Sequence, residues 1–199
     1  MHAEVSLYHQ LKSKVLKASK PNPGLWIEVS QCKQELHIAK GELLIDHLYT
    51  NDSMFVVVKG AFECIITSNT GKNKPIWFYF DRGFDVIVGL GNQLVQTNTK
   101  YHVIAIEPSI VFKFEFWKMQ GSKPRYPALR EFNQKQLIHW LHDYFEIRNH
   151  LHALPPVEFL GYLESHYPEL QHRISSQKLA RFMGITPEWL SKLKKKRSQ

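Results

Sequence analysis

SQKLARFMGITPEWLSKLK, residues 176–194, is the stretch whose pattern is most specific in this chain. Its apolar positions are Leu179, Met183, Ile185, Leu190 and Leu193, spaced as on two short helices. Ala180 lies where those helices would cross most closely, because a larger side chain there would push them apart. Gly184, four residues on, suits the left-handed position that ends a helix. Thr186 then suits an N-cap, Pro187 the first helical position and Glu188 the first turn. The layout is helix, tight turn, helix, as in a DNA-reading helix-turn-helix.

Leu190 and Leu193 face inward on the second helix, with Ile185 from the turn, which leaves Pro187, Glu188, Ser191, Lys192 and Lys195 outward. Such a face fits a major groove, with Glu188 accepting from a cytosine amino group and Lys192 donating to guanine or phosphate. Lys194, Lys196 and Arg197 suit backbone phosphate, and Ser176, Gln177 and Thr186 add phosphate contacts near helix starts. Trp189 has two readings, the edge of the small core or a contact with a thymine methyl or sugar. The competing reading of the whole segment is a plain two-helix hairpin with a solvated, lysine-rich end.

The charge balance favours the DNA reading. The 199 residues carry a formal +8, and the 27 residues from Arg173 onward hold eight basic side chains against the single acid Glu188. Nearly all of the excess therefore sits beside the helix-turn-helix pattern, as expected for a polyanionic partner met at one end of the molecule. Membrane insertion is not expected. The longest apolar run, Met54–Val58, is far short of the roughly 20 residues a spanning helix needs. The N-terminal 14 residues have no signal-peptide core, and Cys32 and Cys64 lie outside any CxxC motif. Together these predict a cytoplasmic protein with reduced, partly buried thiols.

Upstream the pattern changes twice. The first 20 residues read as a short amphipathic helix, ended by Pro21, Pro23 and Gly24. From Leu25 to about Lys118 the period is two: Phe62, Cys64 and Ile66 alternate with Glu63, Ile65 and Thr67, and Phe112, Phe114 and Phe116 with Lys113 and Glu115. Ile76, Phe78 and Phe80 share another strand face. Repeated short strands between turn signals predict a β-sandwich or barrel. A helix is expected from Pro127 to Leu151, with Leu137, Trp140, Leu141, Tyr144, Ile147 and Leu151 on a broad apolar face. A partner helix from a second subunit accounts for that surplus, and packing wholly within the chain is the competing reading. A short helix at about Pro156–His166 follows.

On these residues the chain resembles the Crp/Fnr family of bacterial transcription regulators along nearly its whole length. The resemblance rests on Lys40-Gly41-Glu42, Phe55 to Gly60, Lys100 to Ile106, the strand Ile110–Phe114 and the ending Ile174 to Lys196. It implies an α+β chain in three parts: an antiparallel, cyclic-nucleotide-binding-like β-roll over 1–120, a linker and dimerisation helix over 121–152, and a helix-turn-helix domain over 153–199. It also implies a homodimer on double-stranded, near-palindromic DNA, with RNA polymerase as a further partner. Pro187 stands where many members carry a basic residue, which removes one expected guanine contact.

The effector segment departs further. Members that bind cyclic AMP use a Gly-Glu pair for the ribose and an arginine for the phosphate. Here the matching stretch is Val88-Gly89-Leu90-Gly91, with no Glu after the glycines, and the arginine position falls at Asn98-Thr99 beside Lys100. Lys100 supplies charge without the planar fork, so cyclic AMP is not the expected ligand and no cofactor is expected. An enzyme or metal site is not expected either. His37, His47 and His102 are widely spaced, and His139 and His142 read as a solvated or interface pair. The alternative function is a ligand-binding or protein-interaction β-roll whose helix-turn-helix no longer binds DNA.

Overall fold

The computed structural model describes residues 27–28, 31, 33–46, 53–68, 71–81, 85–88, 100–115 and 127–197. The expected N-terminal helix, Cys32, His47 and Phe116 lie outside these residues. Among the described residues eight strands alternate with turns, as the period-two pattern implies: β1 Gln34–Ile38, β2 Leu43–Asp46, β3 Ser53–Lys59, β4 Ala61–Thr67, β5 Asn73–Phe80, β6 Val86–Val88, β7 Lys100–Ala105 and β8 Ser109–Glu115. They form two four-stranded sheets, ordered β1-β8-β3-β6 and β2-β7-β4-β5, and the strand pairs are antiparallel. Aromatic and β-branched residues such as Phe55, Val57, Phe62, Val103 and Val111 are buried in this roll, at 1% exposure or less.

The chain changes sheets at Gly60, between β3 and β4, and again between β7 and β8. The two crossings meet. A Cβ on Gly60 would lie 2.7 Å from the Ser109 Cα, and the Gly60 φ of +97° is one that side chains rarely adopt. The Gly60 N–H donates to Asp81 Oδ2 at 2.8 Å, which fixes the corner to the end of β5. Burial pushes the Cys64 thiol on β4 up to about 12, so it stays protonated and inert.

Five helices follow: α1 Pro127–Ala153, α2 Pro156–His166, α3 Glu169–Arg173, α4 Ser176–Met183 and α5 Pro187–Arg197. Helix α1 runs two residues past the sequence estimate, and α2 matches it. The five-residue α3 was not expected. Phe159, Leu160, Leu163, Leu170, Leu179, Ala180 and Leu190 bring the helices together, in one buried cluster continuous with the roll. Among the described residues no helix is long and apolar enough to cross a membrane.

The helices cover the outside of the second sheet. Trp77 of β5 meets Trp140 and Tyr144 of α1, with ring centroids 6.5 and 5.7 Å apart. Phe78 packs edge-on to Phe182 of α4 at 5.5 Å. Strand β5 therefore has little free surface, and the polar side of the β4 alternation is covered too: Glu63 is only 8% exposed.

Asp85, just before β6, accepts the Phe80 N–H at 2.7 Å through its carboxylate. Burial, with Asp143, Glu169 and Asp81 as like charges, raises its pKa from an ordinary 3.8 to about 7, against the opposing Phe80 bond. The folded state thus holds this proton more tightly than the unfolded chain. Its stabilising contribution is present below about pH 4 and is lost as pH rises through about 7, by at most about 4 kcal/mol. Asp85→Asn keeps the acceptor and removes the ionisation. Urea denaturation should find the variant gaining on the parent between pH 4 and pH 7.5; a constant difference would contradict this assignment.

Candidate nucleic-acid interface

The tight turn between α4 and α5 arises locally from the residues the sequence pattern singled out. Ser175 caps α4, its hydroxyl accepting the Lys178 N–H at 3.3 Å. Gly184 ends α4 in the left-handed conformation at φ 73°, and the Ile185 N–H returns to the Ala180 carbonyl at 3.0 Å. The Thr186 hydroxyl then accepts the Trp189 N–H at 3.2 Å, starting α5. Ala180 is fully buried, as are Leu190 and Leu179 to within 1%, so α4 and α5 meet across a small side chain.

The outer surface is polar. Ser176, Gln177, Thr186, Pro187, Glu188, Ser191, Lys192, Lys195, Lys196 and Arg197 are exposed to varying degrees, and Lys194 is half-buried. Trp189 is 47% exposed beside them, so it does not close the small core. Glu188 folds back: hydrogen bonds from its own N–H and the Thr186 hydroxyl hold its carboxyl below the usual range. It serves α5 as a capping group, besides facing outward.

The basic residues divide into two sets. Arg173 pairs with Asp81 at 2.7 Å and with Glu107, and its guanidinium lies 5.3 Å from the centre of the Phe80 ring. Lys178 pairs with the buried Glu63 at 2.8 Å. Arg181 donates to the Asn73 carbonyl. These three tie the helices to the second sheet and its β4–β5 and β5–β6 edges. Arg197 donates to Glu164 at 2.9 Å and to the Val157 carbonyl, fastening the end of α5 to α2. Lys194 reaches the Ser176 hydroxyl at 3.4 Å. Among the described residues, Lys192, Lys195 and Lys196 have no ion-pair partner and form the open cationic edge of α5. Sequence alone groups all eight basic residues together; the structure separates the clamps from the open edge.

Helix α1 divides its apolar residues similarly. Trp140, Tyr144, Ile147 and Leu151 pack on the chain's own core, with Ile147 3% exposed. Leu137, Ile138, Leu141 and Phe145 are exposed by 47, 69, 45 and 55%. Sequence reading missed Ile138 and Phe145, although Ile138, Leu141 and Phe145 follow the same 3,4 spacing. Of the effector segment, Val88 ends β6 and the Lys100 backbone begins β7; Gly89, Leu90, Gly91, Asn98 and Thr99 lie outside the described residues. Among the described residues no group of His, Cys, Asp or Glu side chains is placed to hold a metal.

With this arrangement in view, solved structures provide the comparison. The chain is similar to the cyclic-di-GMP-responsive global regulator CLP of Xanthomonas campestris, at 15% identity and TM-score 0.64, over 89% of this chain and 92% of that one. It is similar to a protein assigned to the Crp/Fnr family from Eubacterium rectale, at 13% identity and TM-score 0.60, over 87% and 82%. The chain has the fold of the Crp/Fnr family regulators. A CRP-family transcriptional regulator of Thermus thermophilus is similar too, at 12% identity and TM-score 0.61, over 81% of this chain and 83% of that one. At these identities the likeness is one of fold. No protein-family model matches the chain, and no curated protein sequence matches it.

Proposed function

We propose that this chain is a cytoplasmic, dimeric DNA-binding transcription regulator of the Crp/Fnr type, not an enzyme, and that it does not depend on cyclic AMP. The observation that carries the reading is the open edge of Lys192, Lys195 and Lys196 on α5, a helix anchored from behind by Leu190 and Leu193. Placed in a major groove, α5 would present Pro187, Glu188, Ser191 and Lys192 to base edges, with Lys194, Lys195 and Lys196 toward phosphate. Ser176, Gln177 and Thr186 would add donors at the backbone. Arg197, held by Glu164, would reach phosphate only by leaving that pair.

Two copies supply the geometry of recognition. The exposed stripe Leu137, Ile138, Leu141 and Phe145 is the surface on which α1 would pair with α1 of a second copy, holding two α5 helices about one DNA turn apart. In this reading the working divisions are 1–120 for sensing, 121–152 for dimerisation and 153–199 for DNA, with RNA polymerase a further partner. The segment 88–100 lacks the Gly-Glu pair and arginine of a cyclic-AMP site, which supports a different signal.

Selection from random duplex DNA tests the reading. The full chain should enrich two related half-sites whose centres lie about 10–11 base pairs apart or at a multiple of that spacing. Recovery of unselected sequence after repeated rounds would favour the non-DNA-binding module instead.

A further inference from the structure

A cavity of about 560 Å³ lies where the roll, the long helix and the helix-turn-helix unit meet. This is ample for a small organic molecule. Its floor comes from β5 and the start of β6, one wall from α1, and the other from the α2–α3 junction and α4.

The lining has an unusual chemistry for an interdomain gap. Trp77, Phe80, Trp140 and Phe182 contribute aromatic surface. Asp85, Asp143 and Glu169 contribute carboxyl groups from three separate elements, and among the described residues no lysine or arginine lines the space. Asp143 has the His142 imidazole 3.5 Å away, and the neighbouring Arg173 is committed to Asp81 and Glu107.

We propose that this junction cavity binds a small organic cation, a protonated amine or amidine carried on an aromatic or alkyl body. Aromatic faces attract a cation through their quadrupoles, and the carboxylates form charge-assisted hydrogen bonds to its N–H groups. The same lining repels phosphates and carboxylates, so the site is opposite in preference to a cyclic-nucleotide pocket. Binding here is independent of whether α5 docks on DNA, and its test needs no DNA.

Protonation sets the pH dependence. Among the described residues, the titratable groups facing the cavity are Asp85 from the β5–β6 side, His139 and Asp143 from α1, His166 from α2, Tyr167 from the α2–α3 junction and Glu169 from α3. Below about pH 7 Asp85 holds its proton and contributes no charge to attract a cation, so affinity should rise between pH 6 and pH 8.

Benzamidine, benzamide and benzoate make a matched set of cationic, neutral and anionic probes. Calorimetric titration of the full chain at pH 8 should show saturable benzamidine binding at least about tenfold tighter than benzamide, and no benzoate binding. The Trp140 indole N–H resonance, assigned through Trp140→Phe, should shift with benzamidine. Asp85→Asn and Asp143→Asn should each remove most of the preference for the cation, while circular dichroism and the melting transition show the fold retained. The Asp143 side chain is 58% exposed, so Asp143→Asn keeps the test valid if Asp85→Asn perturbs the roll. Equal affinity for the three probes, no saturation by benzamidine in the millimolar range, or an unchanged preference in the double variant would overturn the proposal.

Discussion

Gly60→Ala is expected to cost about 4 kcal/mol, a large part of the roughly 5–15 kcal/mol that holds a typical domain together. Two effects add. The φ of +97° is strained for any side chain, which costs about 1–2 kcal/mol. The new Cβ would also lie 2.1 Å from Ser109 Oγ, 2.6 Å from its Cβ and 2.7 Å from its Cα. A rotamer change relieves only the first of these, so the crossing of β7 into β8 has to move, at a cost of about 1–3 kcal/mol more. Thermal unfolding should begin about 10 °C lower. Gly41→Ala is the control: φ is similar at +86°, but its Cβ meets nothing within 4 Å. It should show the backbone strain alone. Ser109→Gly combined with Gly60→Ala should recover part of the loss. Equal costs at Gly60 and Gly41 would show that the two sheet crossings do not press on each other.

Leu141→Glu with Phe145→Glu should turn a dimer at micromolar concentration into a monomer. Both residues are about half exposed on α1, so the charges enter solvent in the isolated chain and the fold should survive. In a pair of α1 helices the same charges would face each other in an apolar seam. Four such residues per copy, each contributing about 1 kcal/mol on burial, are enough to hold two copies together. If two linked α5 helices grip one operator, as proposed, the monomer should bind duplex DNA about 100-fold more weakly or worse. Light scattering reads the mass and fluorescence anisotropy the affinity. Trp140→Glu or Ile147→Glu would instead disturb the chain's own core. A variant that stays dimeric would move the interface elsewhere.

The contrast along α1 shows what sequence pattern can and cannot supply. A 3,4 repeat identifies apolar positions, but Leu137 and Trp140 look alike in it. Which of them meets the chain's own sheet is decided by Trp77 on β5, a residue remote in sequence. Glu63 shows the same limit: alternation along β4 places it on a polar face, and Lys178 from α4 closes over that face. The short α3 is set by packing of Leu170, and five residues carry too little periodicity to announce it. By contrast α4, the Gly184 turn, the Thr186 cap and α5 depend on neighbours within a few residues, so they are readable in detail. The open edge of α5 is only half legible. Its lysines are evident, while the removal of Arg173, Lys178 and Arg197 into ion pairs requires the folded chain.

The salt dependence of duplex binding tests the central claim most directly. Each lysine on a phosphate releases counterions, so the slope of log K against log salt measures how many phosphates are neutralised. Binding of the full chain should weaken steeply with salt. Lys192→Ala with Lys195→Ala should lower affinity at least about tenfold and reduce the slope by about one for each phosphate left without its lysine. If the double variant keeps both the affinity and the slope of the parent, α5 is not the surface that meets DNA.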